Sequence, residues 1–103
     1  MVNPEKYLFN DLDEMTARKW AATLTAAPVM TSPLTHNPYI ALPCAYLVLE
    51  KDCTLPKVYQ EGMASSQSKP FTIYYAPCGH SPHISWTNEL VEKIEVFANQ
   101  ILA

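Results

Sequence analysis

Two residues in the chain have the types and the order of a proton-relay pair. Asp52 follows an apolar run at residues 44–49, and His80 lies 28 positions later in the turn-like segment 78–83, CGHSPH. A carboxylate that orients a histidine, which then takes a proton from a nucleophile, supplies the acid and base of nucleophilic hydrolysis. We therefore predict that Asp52 and His80 act together as catalytic residues. For Asp52, the structural alternative is a helix-capping or solvent-facing carboxylate.

The chain lacks the usual sequence context of a serine nucleophile. Such a serine often stands in a Gly-x-Ser-x-Gly turn between a strand and a helix. Gly62 and Gly79 are the only glycines, and no serine lies between two of them. We interpret all of the serines as cap, loop or turn residues: Ser32, Ser65, Ser66, Ser68, Ser81 and Ser85. A thiolate of Cys53 or Cys78, each near one member of the pair, is the alternative nucleophile.

A metal site would compete for the same residues. Cys78, His80 and His83 lie within six positions, and Cys53 could supply a fourth ligand. Structural zinc sites usually contain paired ligands such as C-x₂-C, and this chain has no such pair. We therefore expect neither a metal nor another cofactor.

Composition limits the class of protein. The 103 residues can form one domain at most, and a hydrophobic content of 49% with a charged content of 17% favours a folded chain over a disordered one. The net charge is −3, and the seven basic residues are scattered along the sequence. Nucleic-acid binding is therefore disfavoured, since no basic stripe is available for a phosphate backbone.

The sequence also bears on compartment. Pro4, Glu5 and Lys6 interrupt the start of the chain, so no secretory apolar region follows Met1. No apolar stretch approaches the length of about 18 residues that spans a membrane. Three cysteines are too few, and odd in number, for a secreted disulfide framework. We expect a soluble, cytoplasmic protein with free thiols and no membrane partner.

A buried strand and a helix should position Asp52, and a second strand should position His80. The continuous apolar run at 44–49 predicts a strand that is buried on both faces of a parallel sheet. Residues 55–63, with a proline in the first turn, predict a helix, and the β-branched and aromatic residues 71–75 predict a second strand. Polar residues that follow such strands emerge at the carboxyl edge of the sheet, where α/β proteins build ligand sites.

Two further helices and a loop complete the predicted order. Residues 12–27 are rich in helix formers, begin with acidic residues and stop before Pro28, which predicts one helix. Four prolines within 28–43 predict an extended loop. The firmest helix begins at Thr87 or Asn88. Its apolar stripe recurs at spacings of four, three and four residues: Leu90, Ile94, Phe97 and Ile101.

The order of these segments resembles the C-terminal half of the α/β-hydrolase superfamily. The resemblance rests on PCAYLVLEKDCTLPKVYQ at 43–60, on CGHSPHIS at 78–85 and on the closing amphipathic helix. Two upstream segments, YLFNDLDEMTARKWAATL at 7–24 and TSPLTHNPY at 31–39, look like the cap segment of fungal and bacterial members that are similar to plant methylesterases and hydroxynitrile lyases. The resemblance implies a partial α/β-hydrolase fold in a single compact domain. Residues 1–42 would form a cap-like helix and loop, and residues 43–103 the C-terminal parallel strands with flanking helices.

The resemblance also implies a function. Asp52 matches the family acid and His80 the family base, whereas the nucleophile turn of the family has no counterpart in this chain. The resemblance implies a serine hydrolase for small esters, thioesters or related metabolites, in which a partner chain bears the nucleophile, or else the chain is a processed or truncated product. Because an interrupted sheet would expose an apolar strand edge, we also expect the chain to bind a partner or to self-associate. The alternative is a non-catalytic binding or interaction domain that has kept a hydrolase remnant. Lyase chemistry on the same scaffold stays open, because fold does not determine function.

Overall fold

A short parallel sheet forms the centre of the fold. In the computed structural model, which describes residues 2–103, β1 (Ala45–Leu49) pairs with β2 (Thr72–Ala76). The register runs from Ala45 opposite Thr72 to Leu49 opposite Ala76. Parallel strands need a crossover connection, and α3 (Lys57–Ser65) lies within it. The predicted α/β class, both strands and the helix between them are confirmed, with boundaries that differ by one or two residues.

Helices lie on both faces of the sheet. α3 packs on β1. On the other face, α5 (Thr87–Leu102) borders an open cavity of about 230 Å³ that is lined by Leu47 and Tyr74 of the strands and by Leu90 and Phe97 of the helix. Val48 is 0% exposed. The other residues of β1 are only half-buried, so the expectation of a strand fully buried on both faces holds for Val48 alone.

The remaining elements are short. They are α1 (Pro4–Tyr7), α2 (Glu14–Ala21), a 3₁₀ turn (Pro38–Ile40) and α4 (Pro82–Ser85). Residues 28–43 otherwise form the extended, exposed loop that their prolines predict. α1 and α4 were not predicted, since four residues are too few to establish a helical period.

α2 is shorter than its sequence predicts. Asp13 caps its start, because the carboxylate accepts hydrogen bonds from Thr16 N at 3.0 Å and from Thr16 Oγ1 at 2.7 Å. The helix ends at Ala21 rather than at residue 27. Thr23 Oγ1 donates to Trp20 O at 2.6 Å, and hydroxyls that bond to nearby carbonyls in this way compete with the helix ladder. Pro28 also disfavours helical backbone in the residue before it.

α5 forms where predicted, but its apolar stripe is not buried. None of its residues is fully buried, and Ile94 is 59% exposed. Two strands offer too narrow a surface to cover a helix of 16 residues. Within residues 2–103, no helix is both long enough and apolar enough to cross a membrane.

Val48 provides a test of the sheet core. We expect Val48→Ala to lower the free energy of unfolding by about 2 kcal/mol, since it removes buried methyl groups and leaves a cavity. Urea denaturation followed by circular dichroism measures the change. Val29→Ala is the matched control, because Val29 is 87% exposed and should change stability by less than about 0.5 kcal/mol. Equal effects of the two substitutions would contradict this description of the core.

Candidate active site

The two predicted residues meet at the carboxyl edge of the sheet. Asp52 lies in the loop after β1 and His80 in the loop after β2. Backbone pairing continues beyond the strands, since Lys51 N donates to Cys78 O at 3.0 Å. The two loops therefore leave the sheet side by side, and a sequence separation of 28 residues becomes a direct contact.

The contact is a hydrogen bond between a buried carboxylate and a half-exposed imidazole. His80 Nδ1 lies 2.8 Å from Asp52 Oδ2, and the two side chains are 35% and 2% exposed. An ionised carboxylate can only accept, so Nδ1 carries the proton and donates it. Nε2 is then the ring nitrogen with a free lone pair, as a general base requires. The Asp52 side chain does not face solvent, contrary to the structural alternative.

Asp52 is also held by its own loop. Its Oδ1 accepts hydrogen bonds from Thr54 N at 2.7 Å and from Leu55 N at 3.1 Å. Together with the bond to His80, they give this buried carboxylate three donors, which offsets the cost of removing it from water. Asp52 is not the cap of α3, where Pro56 stands at the N-cap position. The carboxylate thus organises the loop and orients the histidine.

Gln60 braces the loop that carries Asp52. Its side chain is 1% exposed, and Oε1 accepts from Leu49 N at 2.8 Å. Nε2 donates to Leu49 O at 2.9 Å and to Leu55 O at 2.8 Å. One amide thereby joins the two ends of the loop at 50–55. The sequence analysis did not predict a role for Gln60. Its position one helical turn before Ala64, on the same face of α3, could have indicated a buried polar side chain.

The hydroxyls near the pair are engaged elsewhere. Ser81, next to His80, is buried and donates through Oγ to Leu8 O at 2.7 Å. Ser85 Oγ donates to Ser81 O, and Ser65 and Ser66 donate to carbonyls of α3. These four serines are the turn or helix-end hydroxyls that the sequence predicts. In the part of the chain that the structure describes, none of the serines is hydrogen-bonded to His80.

The two cysteines near the pair differ in environment. Cys78 is buried, and this burial, reinforced by the negative charges of Asp11 and Asp52, raises the pKa of its thiol to about 11. A protonated thiol is a poor nucleophile at neutral pH. Cys53 is exposed, and its Sγ lies 3.9 Å from Lys51 O. Over residues 2–103, no cluster of three or more potential metal ligands is formed.

Comparison with known proteins identifies the family. The profile of the alpha/beta hydrolase family matches residues 2–93. Among curated proteins, an alpha/beta hydrolase called nvfD from Aspergillus novofumigatus is 31% identical over 98 residues, which are 92% of this chain and 39% of that protein. The chain therefore spans about two-fifths of the length of this relative. No solved structure gives a significant match.

The bracing by Gln60 can be tested through stability. We expect Gln60→Met to lower the free energy of unfolding by about 2–3 kcal/mol, because it keeps the side-chain volume and leaves buried backbone groups without partners. Gln67→Met is the matched control, since Gln67 makes one long hydrogen bond of 3.5 Å. Chemical denaturation compares them. A loss no greater than that of the control would show that the loop does not depend on Gln60.

Thiol accessibility tests the environment of Cys78. Since its pKa is raised to about 11, the thiol should stay protonated at pH 8 and react slowly with iodoacetamide, while Cys53 reacts first. Above about pH 9 the unfolded chain ionises this thiol before the folded chain does, so the contribution of Cys78 to stability should fall toward pH 11. Peptide mass mapping after timed alkylation gives the order. Labelling of Cys78 in the folded protein as fast as Cys53 would contradict it.

Proposed function

The chain belongs to the alpha/beta hydrolase family, and from this membership we propose that Asp52 and His80 are the acid and the general base of a serine hydrolase. The observation that carries the proposal is the 2.8 Å hydrogen bond from His80 Nδ1 to the buried Asp52 carboxylate. We propose small esters, thioesters or related acyl compounds as substrates, including secondary metabolites. No cofactor enters this chemistry.

In the proposed mechanism, His80 transfers a proton twice. As a serine Oγ attacks the carbonyl carbon, its proton passes to His80 Nε2, and Asp52 stabilises the imidazolium that forms. When the tetrahedral intermediate collapses, Nε2 delivers this proton to the leaving alcohol or thiol. Water then hydrolyses the acyl-serine by the same route and regenerates the serine. The low exposure of Asp52 strengthens its attraction for the imidazolium, because water does not screen the contact.

The serine of this mechanism comes, in our proposal, from polypeptide other than these 103 residues. The relative that the chain matches is more than twice as long as the matched segment. The exposed apolar residues of α5 and an unpaired edge of the sheet support association with a partner chain or a second copy. Three free cysteines support a cytoplasmic location for this assembly.

A second candidate function is a non-catalytic binding or interaction domain. The observation that favours it is that the nearest hydroxyl in sequence, that of Ser81, donates to Leu8 O and not to His80. In this alternative, the Asp52–His80 bond serves only to join two loops. The two proposals differ in whether His80 affects turnover.

A chimera separates these proposals. We would join the part of the Aspergillus novofumigatus relative outside the matched segment to this chain, and measure p-nitrophenyl acetate hydrolysis and fluorophosphonate labelling by intact mass. We expect Asp52→Asn to lower kcat by about 10⁴-fold and His80→Ala by about 10⁶-fold, as in other serine–histidine–aspartate sites.

His83→Ala is the matched control for the chimera. His83 is exposed and lies three residues from His80, so its replacement should leave turnover and labelling unchanged. Adduct formation that depends on His80 but not on His83 supports the hydrolase. Turnover that survives His80→Ala would remove the catalytic assignment and favour the interaction domain.

A further inference from the structure

Residues 7–11, which run from the last residue of α1 into the segment before α2, lie against both loops of the candidate site. On the acid side, Thr54 Oγ1 donates to Tyr7 O at 2.5 Å, and Asn10 Nδ2 donates to Lys51 O at 2.8 Å. Lys51 is the residue before Asp52, and the backbone N–H of Thr54 donates to the Asp52 carboxylate. The segment thus holds the acid loop on both sides of the carboxylate.

The same segment holds the histidine loop. Ser81 Oγ donates to Leu8 O at 2.7 Å, and Gly79 N donates to Asp11 Oδ2 at 2.7 Å. Gly79 and Ser81 are the two neighbours of His80 in the chain. The residue on each side of the histidine is therefore attached to residues 7–11 by a short hydrogen bond, Gly79 through its backbone N–H and Ser81 through its hydroxyl.

Gly79 allows the segment to come this close. A Cβ at this position would overlap Asn10 Oδ1 and would lie 3.0 Å from Asp11 Oδ1. Its φ angle is not positive, so the requirement for glycine is one of space and not of backbone conformation. Asn10 Oδ1 is itself buried without a hydrogen-bond partner in the described chain. A buried acceptor without a partner normally costs free energy of folding. The other end of the same amide, Nδ2, donates to Lys51 O.

We propose that residues 7–11 form a clamp that sets the separation of the Asp52 and His80 loops, with Asp11 as a positioning residue for His80. This inference rests on the proposed use of the pair in catalysis. Within residues 2–103, Asp11 makes no hydrogen bond to His80; it acts through the backbone N–H of Gly79. A charged acceptor makes this bond stronger than a neutral one. The segment that resembles part of a cap is thus, in our proposal, also a part of the catalytic apparatus.

Nuclear magnetic resonance of the 103-residue chain tests the clamp without any measurement of turnover. The readouts are hydrogen exchange of the Gly79 amide, which reports the clamp bond, and exchange of the His80 Nδ1 proton, which reports the pair. We expect Asp11→Ala to accelerate both about tenfold, equivalent to about 1.4 kcal/mol of lost protection. Asp11→Asn, whose amide oxygen can still accept from Gly79 N, should restore most of the protection.

Asp13→Ala is the matched control for a merely structural effect. Asp13 lies two residues away and caps α2 through Thr16, so its loss should destabilise the helix and leave both exchange rates unchanged. The clamp is overturned if the His80 proton exchanges equally fast in the unsubstituted chain and in Asp11→Ala, or if Asp13→Ala has the same effect as Asp11→Ala. Failure of the proposed function would instead appear as turnover of the chimera that is independent of His80, with the exchange results intact.

Discussion

The parallel register of β1 and β2 is the constraint on which the candidate site depends. Because Leu49 lies opposite Ala76, both strands end at the same edge. Backbone hydrogen bonds continue past β1, from Glu50 N to Ala76 O at the end of β2 and from Lys51 N to Cys78 O in the loop after it. The backbone pairing alone therefore places Asp52 and His80 close together. A slip of one residue would turn every side chain of one strand to the opposite face of the sheet, and the packing around Val48 opposes it.

Local patterns were sufficient to predict the strands, the long helices and the order of the two site residues. The apolar run before Asp52 and the period of α5 are properties of neighbouring residues, and both led to the right elements. The clamp at residues 7–11 and the amide of Gln60 could not be found in this way. The bond from Gly79 to Asp11 joins residues 68 positions apart, and no local period records such a contact. The sequence predicts a helix from residue 12, whereas α2 begins at Glu14 and leaves Asp11 in the segment before it.

The candidate site is well ordered by hydrogen bonds, whereas the sheet beside it is narrow and leaves apolar residues exposed. The site is tightly specified, with a buried carboxylate that accepts three hydrogen bonds and with loops held by short contacts. The sheet beside it has two strands, and sheets generally need three or more strands or helix packing for stability of their own. The apolar stripe of α5 is exposed for the same reason, because two strands are too few to cover it. Precise loops on a narrow sheet are consistent with the family membership and with the proposed association.

Gln60 also determines how far another strand can pair with β1. Glu50 N donates toward β2, and since successive residues of a strand direct their backbone groups to opposite sides, Leu49 directs its own away from β2. The Gln60 amide is hydrogen-bonded to both the N–H and the carbonyl of Leu49, so neither group is available to pair with another strand. An added strand can use the backbone of Ala45 and Leu47 but must stop short of Leu49. The edge therefore accepts a neighbour at its amino end while the loop that carries Asp52 stays outside the ladder.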